Sequence, residues 1–366
     1  MNPDPVAAVR ERYPRVAITH EWLTVPGGSE QVVSAMLDVV PHAELFTSVY
    51  DPRPWPAQIT DRRVHASFLS RLPRARSLYP KLLPLMHRAF RSFDLRGFDL
   101  VLSSNHACAK NVRTPPGALH ICYCHTPMRY AWDPSFLRGE PLAPLARAIA
   151  PYLRRIDLKA SRGPHAYLAN STFVAERIRR FYGRSAEVLH PPVDVDRWLG
   201  VERRPTDRYL FLSRLVPYKR ADLAVAACTR LGRPLDVVGE GRAEAQARAA
   251  AGPTIRFLGR VPDLTPVLAN ARALIFPAEE DFGIVPVEAQ AAGVPVIAYG
   301  RGGARDSVLD GRTGLLFEEQ TVDALCDAIL RFEAREWPEA PLREHAAAFH
   351  PRRFRDGLAR FILARG

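Results

Sequence analysis

The chain has 366 residues, of which 47% are apolar and 25% are charged, and its formal net charge is +12. At roughly 150 residues per domain, this length predicts two domains of ordinary globular composition, which excludes disorder, collagen and coiled coil as the main organisation. The longest stretch without Asp, Glu, Lys or Arg is residues 114–128, shorter than the ~20 residues of a membrane-spanning helix.

The first predicted elements are a short strand over Val16–His20, a Gly27-Gly28 turn and a helix from Glu30 to Val39. A second strand is predicted over Glu44–Val49. The residues before the first strand contain no apolar core of signal-peptide length, so we expect a cytoplasmic protein.

A basic segment follows, in which Arg71–Arg96 contains seven Lys and Arg against one acid. The first 200 residues as a whole carry 27 Lys and Arg against 17 Asp and Glu. At 100° per residue, six large apolar side chains share one helical face: Leu78, Leu82, Leu85, Met86, Phe90 and Phe93. We favour a peripheral contact with anionic lipid on the inner membrane face over an ordinary packed helix with a solvated basic face. Pro80 and Pro84 interrupt the segment and weaken the prediction of a single helix. Nucleic acid ranks low because no RNA-binding signature is present.

The next strands are predicted over Phe98–Ser103, Leu119–Cys124 and Tyr167–Ala169, and Asn170-Ser171-Thr172 caps a helix that runs to Tyr182. The Cys122–His125 run could hold a metal, but no second cysteine pair stands at zinc spacing. We therefore interpret the cysteines as reduced, buried side chains: Cys108, Cys122, Cys124, Cys228 and Cys326.

Residues 200–208 are polar and predict a linker, after which the alternation of strands and helices restarts. The later strands are predicted over Tyr209–Ser213, Asp236–Val238, Ile255–Leu258, Ala273–Phe276, Val296–Tyr299 and Gly314–Phe317. Two such series predict an α/β protein with two doubly wound, Rossmann-like domains, in which ligands bind at the carboxyl ends of the strands, here in the cleft between the domains.

The usual signatures of an NTPase, a typical dehydrogenase, a serine hydrolase and a zinc protease are missing from the sequence. Instead, Arg214 and Lys219 follow one strand and would form a clamp for a diphosphate. Glu280 and Glu288 bracket a loop and the start of a helix after a later strand, where phosphate and sugar hydroxyls are both well bound. The alternative is two surface cations and an acidic loop.

These motifs resemble, in order and over nearly the whole chain, the retaining glycosyltransferases of family 4 (group 1). The E-x7-E element lies at Glu280 and Glu288, and the phosphate pair at Arg214 and Lys219. The further matches are Gly27-Gly28, Asn170–Val174 and the Pro191–Asp194 turn.

The resemblance implies the GT-B architecture: residues 1–200 as the acceptor domain, 201–345 as the nucleotide-sugar domain, and 346–366 as a helix returning to the first domain. It implies that His125 lies beside the reacting sugar, and that Glu280, Arg214 and Lys219 take part in catalysis. The implied nucleotide-sugar contacts are Gly27, Gly28, Arg214, Lys219, Gly239, Gly241, Arg260, Val261, Glu280, Phe282, Gly283, Ile284, Val285 and Glu288.

One position departs from the family pattern, since Asp306 stands where many relatives carry Glu after Gly302-Gly303. Asp194-Val-Asp196 mimics the metal motif of the other large glycosyltransferase fold, but we assign it to the turn entering the linker. We expect no catalytic metal and no other cofactor.

The resemblance to bacterial mannosyltransferases of O-antigen and exopolysaccharide assembly implies GDP-mannose as donor. It implies a saccharide or polyprenyl-diphosphate-linked acceptor, on which Tyr130 and Trp132 would stack. A UDP-sugar donor, a nucleotide-sugar epimerase or phosphorylase of the same fold, and a basic membrane-surface or nucleic-acid-binding scaffold are the alternatives.

Overall fold

The computed structural model describes residues 4–133 and 143–366, and these residues form two compact domains. The first domain comprises Met1–Pro192 and Pro351–Gly366, and the second comprises Val193–His350. Each is built on a parallel sheet, as the alternation of strands and helices predicts.

The first domain contains a seven-stranded sheet in the order β3-β2-β1-β4-β5-β6-β7. Its strands are β1 (Val16–His20), β2 (Glu44–Thr47), β3 (Val64–Ala66), β4 (Leu100–Asn105), β5 (Leu119–Cys124), β6 (Ala166–Ala169) and β7 (Glu187–Val188). Its helices are α1 (Pro5–Arg12), α2 (Gly28–Val39), α3 (Ala57–Thr60), α4 (Ala75–Leu78), α5 (Leu83–Arg91), α6 (Arg129–Trp132), α7 (Ala143–Ala160), α8 (Thr172–Tyr182) and α17 (Pro351–Leu363).

The second domain contains a six-stranded sheet in the order β10-β9-β8-β11-β12-β13. Its strands are β8 (Tyr209–Leu212), β9 (Leu235–Val238), β10 (Ile255–Gly259), β11 (Leu274–Phe276), β12 (Val296–Tyr299) and β13 (Gly314–Phe317). Its helices are α9 (Asp196–Leu199), α10 (Ala221–Arg230), α11 (Glu244–Ala249), α12 (Thr265–Asn270), α13 (Ile284–Ala291), α14 (Ala304–Ser307), α15 (Val322–Glu333) and α16 (Glu339–Ala347).

Both sheets are covered on two faces, so their central strands are buried and mainly apolar. In the first domain, α17 packs against α1 and α2 on one face, and Phe354 and Leu358 join the same core as Val33. Met86 and Phe90 of α5 pack on the opposite face. The C-terminal helix is thus part of the first domain.

The chain passes between the domains at Pro192–Val193 and again at His350–Pro351, whereas the sequence analysis placed these points at residues 200–201 and 345–346. The difference has a physical cause, because Val193 and Trp198 are buried in the core of the second domain. The Val193 N–H also donates to the Phe349 carbonyl at 2.9 Å. The predicted linker therefore follows a segment that already belongs to the second domain.

The basic segment is not one amphipathic helix, in line with the prolines that interrupt it. It folds as α4, a 3₁₀ helix over Tyr79–Leu82 and then α5. Pro80 and Pro84 stand in the first turns of the last two elements, where a missing N–H costs least. Met86 and Phe90 are buried, but Leu78 and Leu85 of the predicted apolar face are exposed.

Candidate functional site

In the second domain, a cation and a carboxylate from two different loops meet after neighbouring strands. Lys219 lies in a 3₁₀ helix after β8, and Glu280 lies in the loop after β11. The two strands pair directly through Leu210 and Leu274. The Lys219 Nζ donates to Glu280 Oε1, and only 9% of the Lys219 surface is exposed. The candidate phosphate contact Lys219 and the candidate sugar contact Glu280 therefore lie together.

Arg214 occupies the loop between β8 and Lys219, and its side chain is exposed. Among the interactions of residues 4–133 and 143–366, no hydrogen bond or ion pair involves the Arg214 guanidinium. It is thus a cation without a carboxylate partner in the described part of the chain. A ligand phosphate would not have to displace an existing ion pair to reach it.

Two glycines after β9 hold the Arg214 loop in place. A Cβ on Gly239 would lie 1.9 Å from the Ser213 carbonyl oxygen, and one on Gly241 would lie 2.3 Å from that of Leu215. The φ of Gly239 is +128°, which also favours glycine. The close approach at both positions is therefore made by the chain's own backbone, which fixes where Arg214 stands. Their predicted contact with nucleotide remains a prediction.

The Glu280 loop is held from the other side by Gly302-Gly303 after β12. The Gly303 N–H donates to the Glu280 carbonyl at 2.8 Å, and a Cβ on Gly303 would lie 2.2 Å from the Phe282 Cα. Gly283 has a φ of +88° and precedes the first residue of α13. This backbone packing places Glu280 beside the start of that helix.

Three residues predicted to contact nucleotide-sugar lie around the start of α13. Ile284 and Val285 are half-buried in its first turn. The Phe282 side chain is instead in the hydrophobic core, 3% exposed, with its ring centroid 5.5 Å from that of Phe349. The burial of this ring disfavours a side-chain contact with the donor, and the predicted contact of Phe282 stays a prediction.

Glu288 lies on α13 beside α9. Burial raises the pKa of the Glu288 carboxyl, and the Asp194 charge raises it further, while the Arg197 charge opposes the shift. A carboxyl in this position binds a hydroxyl group readily in either protonation state. Its predicted contact with ribose stays a prediction.

Arg260 and Val261 follow β10, at the same edge of the sheet. Arg260 is exposed and its N–H donates to Glu240 Oε1 at 3.4 Å, whereas Val261 packs partly against the core. Asp306 is half-buried in the short helix α14. None of the three contacts the Lys219–Glu280 pair through a hydrogen bond or ion pair between described residues.

In the first domain, Gly27 and Gly28 stand at the N-terminus of α2. Gly27 is the N-cap, and its φ of −164° is extended backbone that any residue adopts. A Cβ there would lie 3.0 Å from Glu30 Oε2, so this glycine leaves room for the Glu30 carboxylate. Gly28 is the first helical residue.

His125 follows β5 directly, and two neighbouring side chains contact its ring. Ser104 Oγ lies 2.8 Å from His125 Nε2, and the Tyr123 ring packs edge-on at a centroid distance of 5.1 Å. Burial lowers the pKa of His125 well below its ordinary value. The imidazole is therefore neutral at pH 7.

Trp132 is already occupied by protein contacts. Its Nε1 donates to Asp157 Oδ2 at 2.7 Å, and its ring stacks on Phe181 with centroids 4.8 Å apart and planes 17° apart. The Arg154 guanidinium carbon lies 5.6 Å from the ring centroid. These contacts disfavour the predicted stacking of Trp132 on an acceptor sugar. Tyr130, in the same short helix, is half-buried.

Two features that other function classes would need are not found in the described residues. Within residues 4–133 and 143–366, no group of three or more His, Cys, Asp or Glu side chains is arranged to hold a metal ion. All five cysteines are buried free thiols. No helix in the same described ranges has the length and apolarity to cross a bilayer.

Two family models match the chain in succession. Residues 26–197 match the model for glycosyltransferase family 4, and residues 206–334 match the model for the group 1 glycosyl transferases. The chain belongs to the group 1, family 4 glycosyltransferases. This confirms the resemblance drawn from the motifs.

Curated relatives agree with this family. A D-inositol 3-phosphate glycosyltransferase of Mycolicibacterium paratuberculosis is 32% identical over 46% of this chain and 44% of its own length. A GDP-mannose-dependent alpha-(1-6)-phosphatidylinositol monomannoside mannosyltransferase of Mycobacterium tuberculosis is 32% identical over 52% of this chain and 56% of its own. The chain spans about half the length of the curated relatives it matches.

Solved structures share the fold over nearly the whole chain. Sucrose-phosphate synthase of Thermosynechococcus elongatus matches with a TM-score of 0.71 at 19% identity, covering 96% of this chain and all of that one. Anabaena HepE, in complex with UDP and glucose, matches with a TM-score of 0.66 at 17% identity, covering 95% of this chain and 99% of that one. The fold is thus the two Rossmann-like domains of GT-B glycosyltransferases.

Proposed function

We propose that the protein is a retaining glycosyltransferase that moves a hexose, mannose from GDP-mannose, onto a saccharide or polyprenyl-diphosphate-linked saccharide in cell-surface polysaccharide synthesis. The observation that carries this proposal is the pairing of Lys219 with Glu280, beside the unpaired Arg214. An ammonium has three donors, and Glu280 takes one of them, which leaves two for phosphate oxygens. The carboxylate keeps acceptor capacity for sugar hydroxyls.

The chemistry needs stabilisation of a leaving diphosphate. The bond between the anomeric carbon and the phosphate oxygen breaks, and the acceptor oxygen bonds to that carbon on the same face. The acceptor's proton passes to the departing phosphate oxygen, so no enzyme nucleophile is required. Arg214 and Lys219 would stabilise the charge that builds on the phosphate oxygens, and Glu280 would orient the sugar.

The donor assignment rests on the family and on the M. tuberculosis relative, whose name specifies GDP-mannose. We would measure the thermal shift produced by GDP and by UDP, and then transfer from GDP-mannose. GDP should stabilise the protein and UDP should not. Equal shifts would overturn the choice of donor, and the absence of transfer from either nucleotide-sugar class would overturn the proposed activity.

Variants of the cation–carboxylate pair test the site itself. Lys219→Ala should abolish the shift given by GDP, because the diphosphate loses a buried cation. Glu280→Ala should keep most of that shift and lose turnover by about a hundredfold, the scale of one preorganised contact in a transition state. Arg312→Ala is the control, since this exposed arginine pairs with Glu344 elsewhere in the second domain. A normal GDP shift in Lys219→Ala would contradict the assignment.

We also propose that the basic segment touches anionic lipid. A cavity of about 500 Å³ beside α5 and α7 is lined by four cations, Arg88, Arg91, Arg113 and Lys159. None of them forms an ion pair with a described residue. Leu85, one turn before Arg88 on α5, is exposed, and Phe68, Leu72 and Leu78 earlier in the sequence are also exposed. Cations next to exposed apolar groups are typical of a peripheral membrane surface.

Vesicle flotation tests this surface. Each cation near an anionic bilayer contributes about 1 kcal/mol, so the double variant R88Q/R91Q should bind phosphatidylserine vesicles about 30-fold more weakly. The double variant R305Q/R312Q, which removes two exposed arginines of the second domain, is the control. Equal flotation of the wild type with anionic and zwitterionic vesicles would contradict the proposal.

A further inference from the structure

Four polar side chains of the first domain form a continuous hydrogen-bonded chain that ends at His125. Glu30 Oε1 lies 3.0 Å from His20 Nε2, and His20 Nδ1 lies 3.0 Å from Ser104 Oγ. Ser104 Oγ lies 2.8 Å from His125 Nε2. His20 and Ser104 are fully buried, and Glu30 is 6% exposed. The chain leads from the N-terminal turn of α2 to the residue predicted to face the sugar.

The sheet explains how residues so far apart in sequence come together. His20 ends β1 and pairs in register with Ser104 of β4. The His125 N–H, just past β5, donates to the carbonyl of the neighbouring β4 residue Asn105 at 2.8 Å. Three parallel strands therefore end side by side, and each contributes one member. Glu30 reaches the first of them from α2.

The donor and the acceptor of each hydrogen bond in this series can be assigned in turn, starting from Glu30. Burial alone would raise the pKa of Glu30, but the hydrogen bond from His20 lowers it below its usual value, so this carboxylate only accepts. His20 Nε2 must then donate. If His20 is neutral, its Nδ1 accepts from the Ser104 hydroxyl. The Ser104 oxygen then accepts from His125 Nε2–H, which leaves His125 Nδ1 with a free lone pair.

The other ionisable groups packed around the chain do not compete for His20. The Glu21 carboxylate accepts backbone N–H groups of residues 106–109, at 2.7–3.1 Å from Oε1. The His106 ring centroid is 6.2 Å from that of His20 and 6.4 Å from that of His125. The Tyr123 hydroxyl donates to the Leu189 carbonyl. Glu30 is therefore the carboxylate that sets the orientation of the His20 ring.

We infer that Glu30, His20 and Ser104 are positioning residues that fix the tautomer of His125, placing its proton on Nε2 and presenting Nδ1 as an acceptor for a hydroxyl group of the bound sugar. This inference rests on the proposed function for the identity of that ligand. The geometry that fixes the tautomer lies wholly within the first domain. A cationic His20 would reverse every bond from Ser104 onward and turn Nδ1 of His125 into a donor.

The tautomer can be measured directly, without substrate. Long-range ¹H–¹⁵N correlation spectra of the full chain, labelled with ¹⁵N-histidine, distinguish a protonated Nε2 from a protonated Nδ1. The wild type should show neutral His125 with its proton on Nε2 at pH 7. A proton on Nδ1, or a cationic ring, would overturn the inference whatever the protein's activity.

Ser104→Ala and Glu30→Gln should each shift His125 toward a mixture of tautomers. Turnover should fall about tenfold in both variants, with the KM for GDP-mannose changed less than threefold, because the donor-binding cations are untouched. Ser104→Thr, which restores a hydroxyl, should recover the Nε2–H signal. If Ser104→Ala folds poorly, Glu30→Gln carries the test, because its amide fills the same volume.

Ser103→Ala is the matched control. Ser103 is the neighbouring residue of β4, points to the opposite face of the sheet and bonds His120 Nε2 at 2.6 Å. Its loss should cost similar stability and leave the His125 spectrum unchanged. An unchanged tautomer in both Ser104→Ala and Glu30→Gln would overturn the inference even if transfer is observed. A changed tautomer in a protein that transfers no sugar would overturn the proposed function and leave the positioning chain intact.

Discussion

The two domains place different chemistry at the carboxyl ends of their strands. In the first domain these ends are rich in fully buried polar side chains: Thr19, His20, Glu21, Ser103, Ser104 and Asn105. In the second domain the last residues of the strands are apolar, and the charged groups at this edge of the sheet stand in the loops beyond them. There Arg214 is exposed and Lys219 pairs with Glu280 near the surface.

The difference shows two ways of preparing a polar site. In the first domain most of these polar groups have a partner within the domain, as in the Thr19–Ser103 and His20–Ser104 hydrogen bonds, although Asn105 Nδ2 has none among the described residues. In the second domain, Arg214 and Lys219 keep hydrogen-bond donors that described residues do not occupy. Close backbone contacts at Gly239 and Gly303 fix the loops near these cations. The first arrangement suits the orientation of a neutral hydroxyl group, and the second suits the binding of an anion.

The largest effect should come from breaking a buried ion pair of the first domain. Lys110 and Asp157 are both fully buried, and Lys110 Nζ lies 2.5 Å from Asp157 Oδ1. Lys110→Met should lower the free energy of unfolding by about 3–5 kcal/mol, because Asp157 keeps a buried charge without its cation. Chemical denaturation measures this. Lys159→Met, an exposed lysine of α7, is the control, and a loss below about 1 kcal/mol would show that water reaches Asp157.

A backbone contact of the second domain should come next. Gly239→Ala places a methyl group against the Ser213 carbonyl at a φ of +128°, so both strain and overlap oppose it. We expect a loss of about 3 kcal/mol together with the loss of the thermal shift given by GDP. Gly232→Ala is the control for backbone strain without overlap, because Gly232 has a φ of +64° but no atom lies within 4 Å of an added Cβ. Equal losses in the two variants would mean that backbone strain, not the contact with the Arg214 loop, decides the effect.

Acid should destabilise the first domain, because β5 of that domain contains the buried histidine His120. Burial lowers the pKa of His120 to about 3, and the His165 charge adds to this shift. An unfolded histidine titrates near 6.5, so between pH 6.5 and pH 3 the unfolded chain binds a proton that the folded chain does not. Stability is therefore complete above pH 6.5 and falls by about 1.4 kcal/mol per pH unit below it.

The measurement is denaturation at several pH values in the wild type and in His120→Gln. At pH 5 the wild type should have lost about 2 kcal/mol more than the variant, each relative to its own value at pH 7.5. Parallel pH curves would show that His120 is protonated in the folded state. Ser103 and Thr114, which bond the two ring nitrogens at 2.6 and 2.9 Å, would then have to reorient as acceptors.

The sequence predicts this fold well where strands are continuous apolar runs. Val16–His20, Leu119–Cys124, Val296–Tyr299 and Gly314–Phe317 are strands with the predicted ends. Two strands were missed, Val64–Ala66 and Glu187–Val188. Both lie at sheet edges, are short and are partly or fully exposed, so they carry no apolar signal.

The site was less predictable because its polar groups depend on tertiary neighbours. Lys219 and Glu280 could be paired from their motifs, but the closeness of Glu288 to Arg197 could not, since it depends on how α9 packs on α13. His20 and Ser104 were missed as functional candidates. A signal was present, because polar residues end three strands, and the carboxyl ends of parallel strands meet at one edge of a sheet.

The smallest loss of stability should come from breaking an exposed ion pair of the second domain. Arg312 and Glu344 lie 2.8 Å apart, but their side chains are 58% and 71% exposed. Water already solvates both charges, so Arg312→Ala should change the free energy of unfolding by less than about 0.5 kcal/mol. Denaturation at low and at 0.5 M salt measures it, and the small difference should vanish in salt. If Arg312→Ala lowered the free energy of unfolding as much as Lys110→Met does, the stabilisation by an ion pair would not depend on its burial.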